Sequence, residues 1–461
     1  MQKLIIKNFR QISYAEIDIK KFTIFIGPQA SGKSTIAKLV YFFKSLKQDF
    51  LKLLIESEEK PSELHIEYIK SIEEKFKVYF GSSFELSEKF ELKYFFSFEE
   101  NLYIRLYRKV SLQVEFEKTY FSKIILETKM VSEKIKIFSQ KKTKTESRVA
   151  YQFYDSIKEK FLKDLQTVSD KVFYDDRDPI FFPAGRNLTV AYPQHFLTLF
   201  FGELSSLIGE LKTDNIESKS IDLLLIKEFI SYSQFLSDQF VGSGFNDNNI
   251  SDYNSQHIRT VIIDKTNKII KGNYENKDGT ERITFGSTRL DTVKLAHASS
   301  GQQESIRILQ DIFFIMKGHK AFRIYEEPEA HLFPEAQKHL IELMALMANK
   351  THSEVLITTH SPYILSIINN LLFYNQTIKR NPESAEYIKK RFGAENLDET
   401  QNERIYLSPD EVSVYSLGKD KVEQIIDPET GLIGANFLDQ VAEEIYQDFD
   451  FMYPLNRKEE N

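Results

Sequence analysis

The chain has 461 residues, enough for roughly two to four domain-sized units, so it can bury a sizeable core. A net charge of −7 with 28% charged residues excludes a surface that is basic all over, although a local basic groove is compatible with it. Because the chain has no cysteine, disulfides and thiolate metal sites are excluded, which suits a reducing compartment.

The first residues do not form a targeting segment. Residues 1–7 are too few and alternate too strongly for a signal peptide. The apolar run 196–208 is interrupted by Gly and Glu and falls well short of a membrane span. The nine histidines are scattered without a His-Glu-x-x-His pair, so no zinc site is proposed. We therefore expect a cytoplasmic protein that makes no membrane contact.

Two alternating segments, 3–8 and 14–19, begin the chain and predict an antiparallel hairpin. A run of strand formers at 22–26 leads into a glycine-rich loop, and the apolar spacing after it predicts a helix from Lys33 to about Glu56. The loop has the pattern G-x-x-x-x-G-K-S and comprises Gly27, Pro28, Gln29, Ala30, Ser31, Gly32, Lys33, Ser34 and Thr35. Strand, loop and helix in this order are the context that a P-loop requires.

The loop pattern suits a nucleoside triphosphate, whose closely spaced negative charges need several unobstructed backbone N–H donors. Gly27 and Gly32 let the backbone curl around the phosphates, and the helix points its positive N-terminal end at them. Lys33 supplies a point charge to the β- and γ-phosphates, and the Ser34 hydroxyl is placed for Mg²⁺. The sequence therefore predicts a site for ATP or GTP. The alternative is a glycine turn that fits the pattern by chance.

The segment after the first helix changes its period several times. Residues 84–138 alternate with a period of two, which predicts an antiparallel sheet. The basic cluster 141–144 is either a solvated loop or a contact to a phosphate backbone. Helical spacing returns at 151–172, and a strand at 179–182 ends in Pro183-Ala184-Gly185-Arg186.

The next segment has less regular signals. Residues 196–240 predict two helices, and the polar stretch 242–254 is the best linker candidate. Strands are predicted at 258–263, 268–274 and 281–285, the last two joined by a hairpin turn. The chain has no evident internal repeat.

A second candidate phosphate site lies at the start of a helix predicted at 303–317. Its residues are Ser299, Ser300, Gly301 and Gln302. A Ser-Gly turn at a helix N-terminus aims a hydroxyl, backbone N–H groups and the helix dipole in one direction, which favours an anion. The alternative is a plain helix cap.

Polar residues also follow two predicted strands. The strand at 321–326 ends in Glu326-Glu327-Pro328, and ligands of an open α/β sheet bind at the carboxyl ends of parallel strands. Adjacent carboxylates suit two tasks there, since one can hold hydrated Mg²⁺ and the other can take a proton from an attacking water. The strand at 355–359 ends at His360, which either contacts the γ-phosphate or makes a structural hydrogen bond.

In this order, the motifs resemble those of the ABC-type ATPase heads shared by RecF, SMC and OLD-family proteins. The resemblance covers residues 1–45 and 181–450. It implies an α/β P-loop NTPase fold whose two-lobed head contains a mixed, largely parallel sheet and an antiparallel β lobe. An inserted α+β segment would occupy 46–180 and serve as an assembly surface, and 451–461 would form a C-terminal tail.

The resemblance also implies a mechanism and partners. Two heads would sandwich two ATP molecules with Mg²⁺, and Ser300 of each chain would reach the γ-phosphate held by Lys33 of the other. ATP would then hold the two chains together. Ser299–Gln302 would be the signature motif, which contacts the nucleotide bound to the other chain. The catalytic residues implied are Lys33, the base Glu327 and the switch histidine His360, and the metal ligands are Ser34 and Glu326.

The chain departs from the family pattern at three places. Glu326 stands where the usual residue is Asp, so its carboxylate reaches one methylene further. Gln302 replaces the second glycine of the signature. No glutamine follows the insertion at the usual place. Arg186 stands there and either contacts phosphate or braces the interface between the lobes.

The signature, the acidic motif and the segment 407–412 also look like the stand-alone ATPases of bacterial anti-phage operons, such as those of the PARIS and Septu systems. This finer resemblance implies a sensor and scaffold that controls a separate effector nuclease and responds to a phage protein. Nothing after Pro362 resembles the Toprim nuclease domain of OLD proteins, so no nuclease domain is expected in the chain. The alternatives are a RecF-type ATPase that clamps DNA, and a nucleotide-gated binding module with negligible turnover.

Overall fold

The computed structural model describes residues 1–56, 64–81, 89–120, 122–124, 126–127, 162–191, 221–245, 256–286, 291–418, 421–434 and 446–453. The strands within them are β1 (Gln2–Phe9), β2 (Ile12–Ile19), β3 (Phe22–Ile26), β4 (Glu91–Ser97), β5 (Leu102–Arg108), β6 (Leu112–Phe116), β7 (Asp178–Phe182), β8 (Ser243–Gly244), β9 (Asn273–Lys277), β10 (Thr280–Thr284), β11 (Thr292–Lys294), β12 (Ala321–Glu326), β13 (Glu354–Thr359), β14 (Val412–Leu417) and β15 (Val422–Gln424). The main helices are α1 (Lys33–Glu56), α2 (Leu64–Phe80), α3 (Ile221–Asp238), α4 (Gln256–Ile270), α5 (Ser300–Ile315), α6 (Pro334–Thr351), α7 (Pro362–Arg380) and α8 (Ala385–Phe392).

The central sheet has six strands in the order β15-β14-β3-β13-β12-β7. Its neighbouring strands are parallel except for the antiparallel pair β14 and β15. Successive side chains of β3 face two different cores: Ile24 lies in the core with α5 to α7, and Phe25 in the core with α1 and α2. Burial on both faces explains why β3 reads as a continuous apolar run. The carboxyl ends of β3, β12 and β13 meet at one edge, the usual position of a ligand.

A five-stranded antiparallel sheet, in the order β2-β1-β4-β5-β6, covers one side of α1. The antiparallel strands predicted within 84–138 are present as β4, β5 and β6. They extend the sheet of the opening hairpin, since β4 pairs with β1. Part of the segment assigned to the insertion therefore shares a sheet and a core with the first residues of the chain.

The third sheet has the order β11-β10-β9-β8 and contains the predicted hairpin turn between β9 and β10. The strand predicted at 258–263 is wrong, because α4 occupies residues 256–270. The strand predicted at 268–274 is also misplaced, since it covers the end of α4 and only the beginning of β9. Ile258, Val261 and Ile262 of α4 pack into the core at helical spacing.

Other sequence predictions are covered only in part. Residues 162–173 are helical, which covers the described part of the helix predicted at 151–172, and α3 lies within the predicted 196–240. The basic cluster 141–144 and most of the linker candidate 242–254 lie outside the described residues. Within the described ranges, no helix combines the length and apolar character needed to cross a membrane.

Candidate functional site

The loop 27–32 joins β3 to α1 at the carboxyl edge of the central sheet. Residues 28–30 are exposed, and the N–H groups of residues 29–32 donate to no other group in the described part of the chain. Ala30 and Gly32 have left-handed backbone, with φ of 59° and 99°, which turns the chain back on itself. The loop therefore presents a row of available N–H donors, which is what a phosphate group requires.

Neighbouring strands hold this loop on two sides. A Cβ added to Gly27 would lie 2.4 Å from the backbone oxygen of Leu417 at the end of β14, so only glycine fits there. On the other side, the hairpin between β1 and β2 places the Gln11 amide 3.3 Å from the Thr35 hydroxyl, to which it donates. Gln11 is a residue that the sequence analysis missed, since nothing local marks the hairpin tip as a neighbour of the loop.

Lys33 folds back over the loop. Its Nζ donates to the backbone oxygens of Gly27 at 2.8 Å and Pro28 at 2.7 Å. Burial lowers the pKa of Lys33 to about 8, while the nearby carboxylates of Glu327 and Glu329 oppose this shift. The ammonium is therefore bonded to two loop carbonyls and lies within the electrostatic range of two acidic side chains.

Glu326 ends β12 beside the start of α1. It is buried and accepts a hydrogen bond from the backbone N–H of Ala184 at 3.4 Å, and the Ser34 hydroxyl lies near its carboxylate. Burial raises the pKa of Glu326, while the Lys38 ammonium and then the Ser34 hydroxyl oppose this shift. One carboxylate and one hydroxyl are oxygen donors of the kind Mg²⁺ accepts together with phosphate oxygens and water. No group of three or more His, Cys, Asp or Glu side chains able to hold a metal occurs among the described residues.

Glu327 and His360 face each other at the ends of neighbouring strands. Oε1 of Glu327 lies 3.3 Å from Nε2 of His360, and both side chains are partly exposed. Glu327 has φ of +44°, a strained conformation for a residue that precedes proline. Its backbone N–H donates to Thr358 at 2.9 Å, which ties it to β13. Such strain is concentrated at functional sites.

Glu329 is a second residue that the sequence analysis did not assign. Its Oε1 accepts from the Thr359 hydroxyl at 2.5 Å and from the backbone N–H of His360 at 3.0 Å. Burial raises the pKa of Glu329, and its Oε2 is buried without a hydrogen bond among the described residues. It therefore fixes the end of β13 from which His360 extends. Its place in the acidic run after β12 was the available signal.

Arg186 lies behind the acidic motif and is fully buried. It donates to the backbone oxygens of Pro183, Glu326 and Glu327 and forms an ion pair with Glu304 on α5. Burial lowers the pKa of Arg186, and the carboxylate of Glu304 opposes this most. Of the two roles left open by the sequence, this geometry corresponds to a brace and not to a phosphate contact.

The signature-like residues begin α5. Ser299 is the N-cap, and its side chain and that of Gln302 form a reciprocal capping box. Gln302 also donates to the backbone oxygen of Ile270 at 2.6 Å. Ser299 and Ser300 are exposed, and no hydrogen bond or ion pair joins residues 299–302 to residues 27–35 within the part of the chain described. Lys33, Ser34, Glu326, Glu327 and His360 thus come together in one chain, whereas no bond links Ser299–Gln302 to them.

Three comparisons with known proteins bear on this site. A family model described as AAA ATPase domain matches residues 1–365. No curated protein matches the chain. The match to residues 1–365 and the sheet topology confirm the α/β P-loop NTPase fold expected from the motifs.

Solved structures similar to the chain include three SMC heads. One, bound to the C-winged helix domain of ScpA, has 12% identity and a TM-score of 0.35 and covers 79% of this chain and 90% of that one. A head with an extended coiled coil, bound to the C-terminal domain of ScpA from Pyrococcus furiosus, has 16% identity, a TM-score of 0.36 and coverage of 97% and 100%. The head from Thermotoga maritima has 12% identity, a TM-score of 0.33 and coverage of 79% and 90%.

Proposed function

Because the chain belongs to the AAA ATPase domain family, we propose that it binds ATP with Mg²⁺ at residues 27–35 and hydrolyses the γ-phosphate. The observation that carries this proposal is the convergence of a cation, a buried carboxylate with a hydroxyl, and a carboxylate–histidine pair at adjacent strand ends. Ser34 lies beside Glu326, and Glu327 lies 3.3 Å from His360. These are the donors, metal ligands and base that phosphoryl transfer needs.

The proposed reaction gives each of these groups a role. A water oxygen attacks the γ-phosphorus while the bond between that phosphorus and the β–γ bridging oxygen breaks. The carboxylate of Glu327 takes a proton from the water, and His360 orients the carboxylate and contacts the γ-phosphate. Lys33 leaves its carbonyl partners for the β- and γ-phosphates. Ser34 and Glu326 would hold Mg²⁺, which would neutralise charge on the phosphates.

Two chains would complete the site. Ser299 and Ser300 are exposed and share no hydrogen bond with residues 27–35 of their own chain in the described structure, which supports a role on the nucleotide of a second copy. In this arrangement Ser300 reaches the γ-phosphate that Lys33 of the other chain holds. ATP then joins the heads, and hydrolysis releases them.

The test combines phosphate release with chain association. The wild type should hydrolyse ATP and associate when ATP is present, as measured by light scattering after size-exclusion chromatography. Lys33→Ala should neither bind ATP nor associate, whereas Glu327→Gln should trap ATP and associate more strongly. Equal association by the two variants would exclude the proposed arrangement.

We further propose that this cytoplasmic ATPase is the sensor and scaffold of an anti-phage complex, which controls a separate effector nuclease and responds to a phage protein. The motif resemblance supports this role, and residues 46–180 would provide an assembly surface. Co-purification with the product of a neighbouring gene tests it. A stable complex in one nucleotide state is expected, and none in either state would contradict the role.

A DNA-clamping ATPase of RecF or SMC type is the second candidate. The ends of α7 and α8 favour it, because they carry exposed cations at Lys379, Arg380, Lys390 and Arg391. ATP-dependent duplex binding that weakens with salt is then expected. Absence of binding below about 50 mM salt would exclude a phosphate-backbone contact of this kind.

A further inference from the structure

We propose that Arg186 and Glu304 form a buried link that positions the carboxylates of Glu326 and Glu327 and makes their orientation depend on α5, the helix that begins with the signature. Arg186 is thus a positioning residue and not a ligand of the nucleotide. This inference rests on the proposed function, because it describes how that site is regulated.

One side of the link holds the acidic motif. Nη1 of Arg186 donates to the backbone oxygen of Glu326 at 2.5 Å and to that of Pro183 at 3.0 Å, and Nη2 donates to the backbone oxygen of Glu327 at 3.0 Å. These bonds are made to the main chain, so they fix the backbone from which the two carboxylate side chains extend. The carboxylate oxygens themselves remain available. A planar guanidinium with a fixed set of donors can bond several carbonyls at once, whereas a lysine ammonium cannot reproduce that fork.

The other side of the link holds α5. Nε of Arg186 lies 3.3 Å from Oε2 of Glu304, and the same carboxylate accepts the backbone N–H of Arg186 at 3.1 Å. Glu304 is only 2% exposed. It lies four residues after Ser300, one helical turn along α5. Any shift of α5 when Ser300 meets a nucleotide therefore reaches Arg186 directly.

The backbone conformation of Glu327 explains why loss of this link would move its carboxylate. A φ of +44° is unfavourable for a residue that precedes proline, so contacts with the surrounding structure have to maintain this angle. The described structure provides three backbone bonds: its N–H donates to Thr358, and its carbonyl oxygen accepts from Arg186 and from the N–H of Ala330. Without Arg186 only the local turn bond from Ala330 holds that carbonyl, so the peptide can relax and move the carboxylate from its place 3.3 Å from His360.

A second contact couples the same two segments. Gly301 of α5 packs so tightly on the loop after the acidic motif that an added Cβ would lie 2.5 Å from the backbone oxygen of His331. The start of α5 thus touches this loop directly at Gly301, and indirectly through Glu304 and Arg186. Two contacts on one helix favour movement of the helix and the acidic loop as one body.

The test uses Arg186→Lys and Glu304→Gln in the full chain. We expect kcat for ATP hydrolysis to fall on the order of 100-fold in both, because the base is displaced by about an ångström. KM for ATP should change by less than about threefold, because the phosphate loop is untouched. Glu342→Gln is the matched control, since Glu342 is also a buried carboxylate, 1% exposed, paired at 2.6 Å with Lys265 on α4. It should lower the melting temperature without lowering kcat.

A double-mutant cycle tests the coupling. Ser300→Ala and Glu304→Gln should act non-additively on kcat if the signature works through the link, and additively if it does not. In the Glu327→Gln background, Arg186→Lys should have no further effect on residual hydrolysis. Folded Arg186→Lys and Glu304→Gln variants that both keep kcat within about twofold of the wild type would overturn the proposal.

Hydrogen exchange separates this inference from the proposed function. Backbone amides of residues 326–331 should exchange faster in Arg186→Lys and Glu304→Gln but not in Glu342→Gln, whether or not ATP is hydrolysed. Unchanged exchange in both link variants would refute the positioning role. A wild type that binds no ATP while its link variants show faster exchange would instead refute the proposed function alone.

Discussion

Replacing Glu327 by Gln is the sharpest test of the site, because the side chain keeps its length and loses only its ability to accept a proton. A general base contributes about 10²- to 10⁴-fold to a rate, which corresponds to about 3–5 kcal/mol of activation free energy. The backbone of Glu327 makes hydrogen bonds with Thr358, Arg186 and Ala330, and these bonds survive the substitution. The lost side-chain contact to His360 is partly exposed, so the free energy of unfolding should change by less than about 1 kcal/mol.

Phosphate release under single-turnover conditions, with chemical unfolding of the same preparation, measures both quantities. The matched control is Glu335→Gln, which removes an exposed carboxylate from the first turn of α6 and should leave the rate unchanged. A Glu327→Gln rate within about threefold of the wild type would show that Glu327 is not the base. A large loss of stability would show that the lower rate reports unfolding and not lost chemistry.

The remaining predictions concern the phosphate loop and the signature. Burial lowers the pKa of Lys33 to about 8 and bound phosphate should raise it again, so ATP binding takes up a proton above that pH. Affinity should therefore fall as pH rises through about 8, while Lys33→Arg should remove this dependence; a wild-type affinity that is flat with pH would contradict the Lys33 contact. Gly27→Ala should lower stability by about 1–3 kcal/mol and weaken ATP binding, because its Cβ would meet the oxygen of Leu417 at 2.4 Å. Gly418→Ala, whose nearest atom would lie 4.0 Å away, is the control, and similar unfolding curves for the two variants would refute the steric reasoning. Gln302→Ala should cost about 1 kcal/mol in urea unfolding, because it removes the capping box and the bond to Ile270, and an unchanged midpoint would contradict this account.

Local patterns predicted the parts of the site that depend on neighbouring residues. The strand, loop and helix around Lys33 and the acidic end of β12 are each encoded within a short stretch, and the structure has them at the predicted positions. The error at α4 came from its β-branched residues, which favoured a strand although Ile258, Val261 and Ile262 follow helical spacing. Lys265 obscured that spacing, because it is buried through its pair with Glu342 on another helix.

Contacts between distant segments had no signal in the sequence. Arg186 and Glu304 are 118 positions apart, and neither has a local pattern that indicates the other. The pairing of β1 with β4 is of the same kind, since alternation predicts a strand but not its neighbour. The role of Glu329 was easier to predict, because Glu329 belongs to the same acidic run as Glu326 and Glu327, which the sequence analysis did assign.

The position of β3 within its sheet has a consequence for biosynthesis. Both strands beside it, β13 and β14, come from residues beyond 353, so a ribosome must synthesise most of the chain before β3 gains either partner. Until then the backbone N–H and C=O groups of the apolar segment Phe22–Ile26 have no strand partner on either side, which favours association with other nascent chains. Chaperone capture of the amino-terminal part during translation is the expected response, and ATP binding begins only after β14 has emerged and closed the sheet beside the loop.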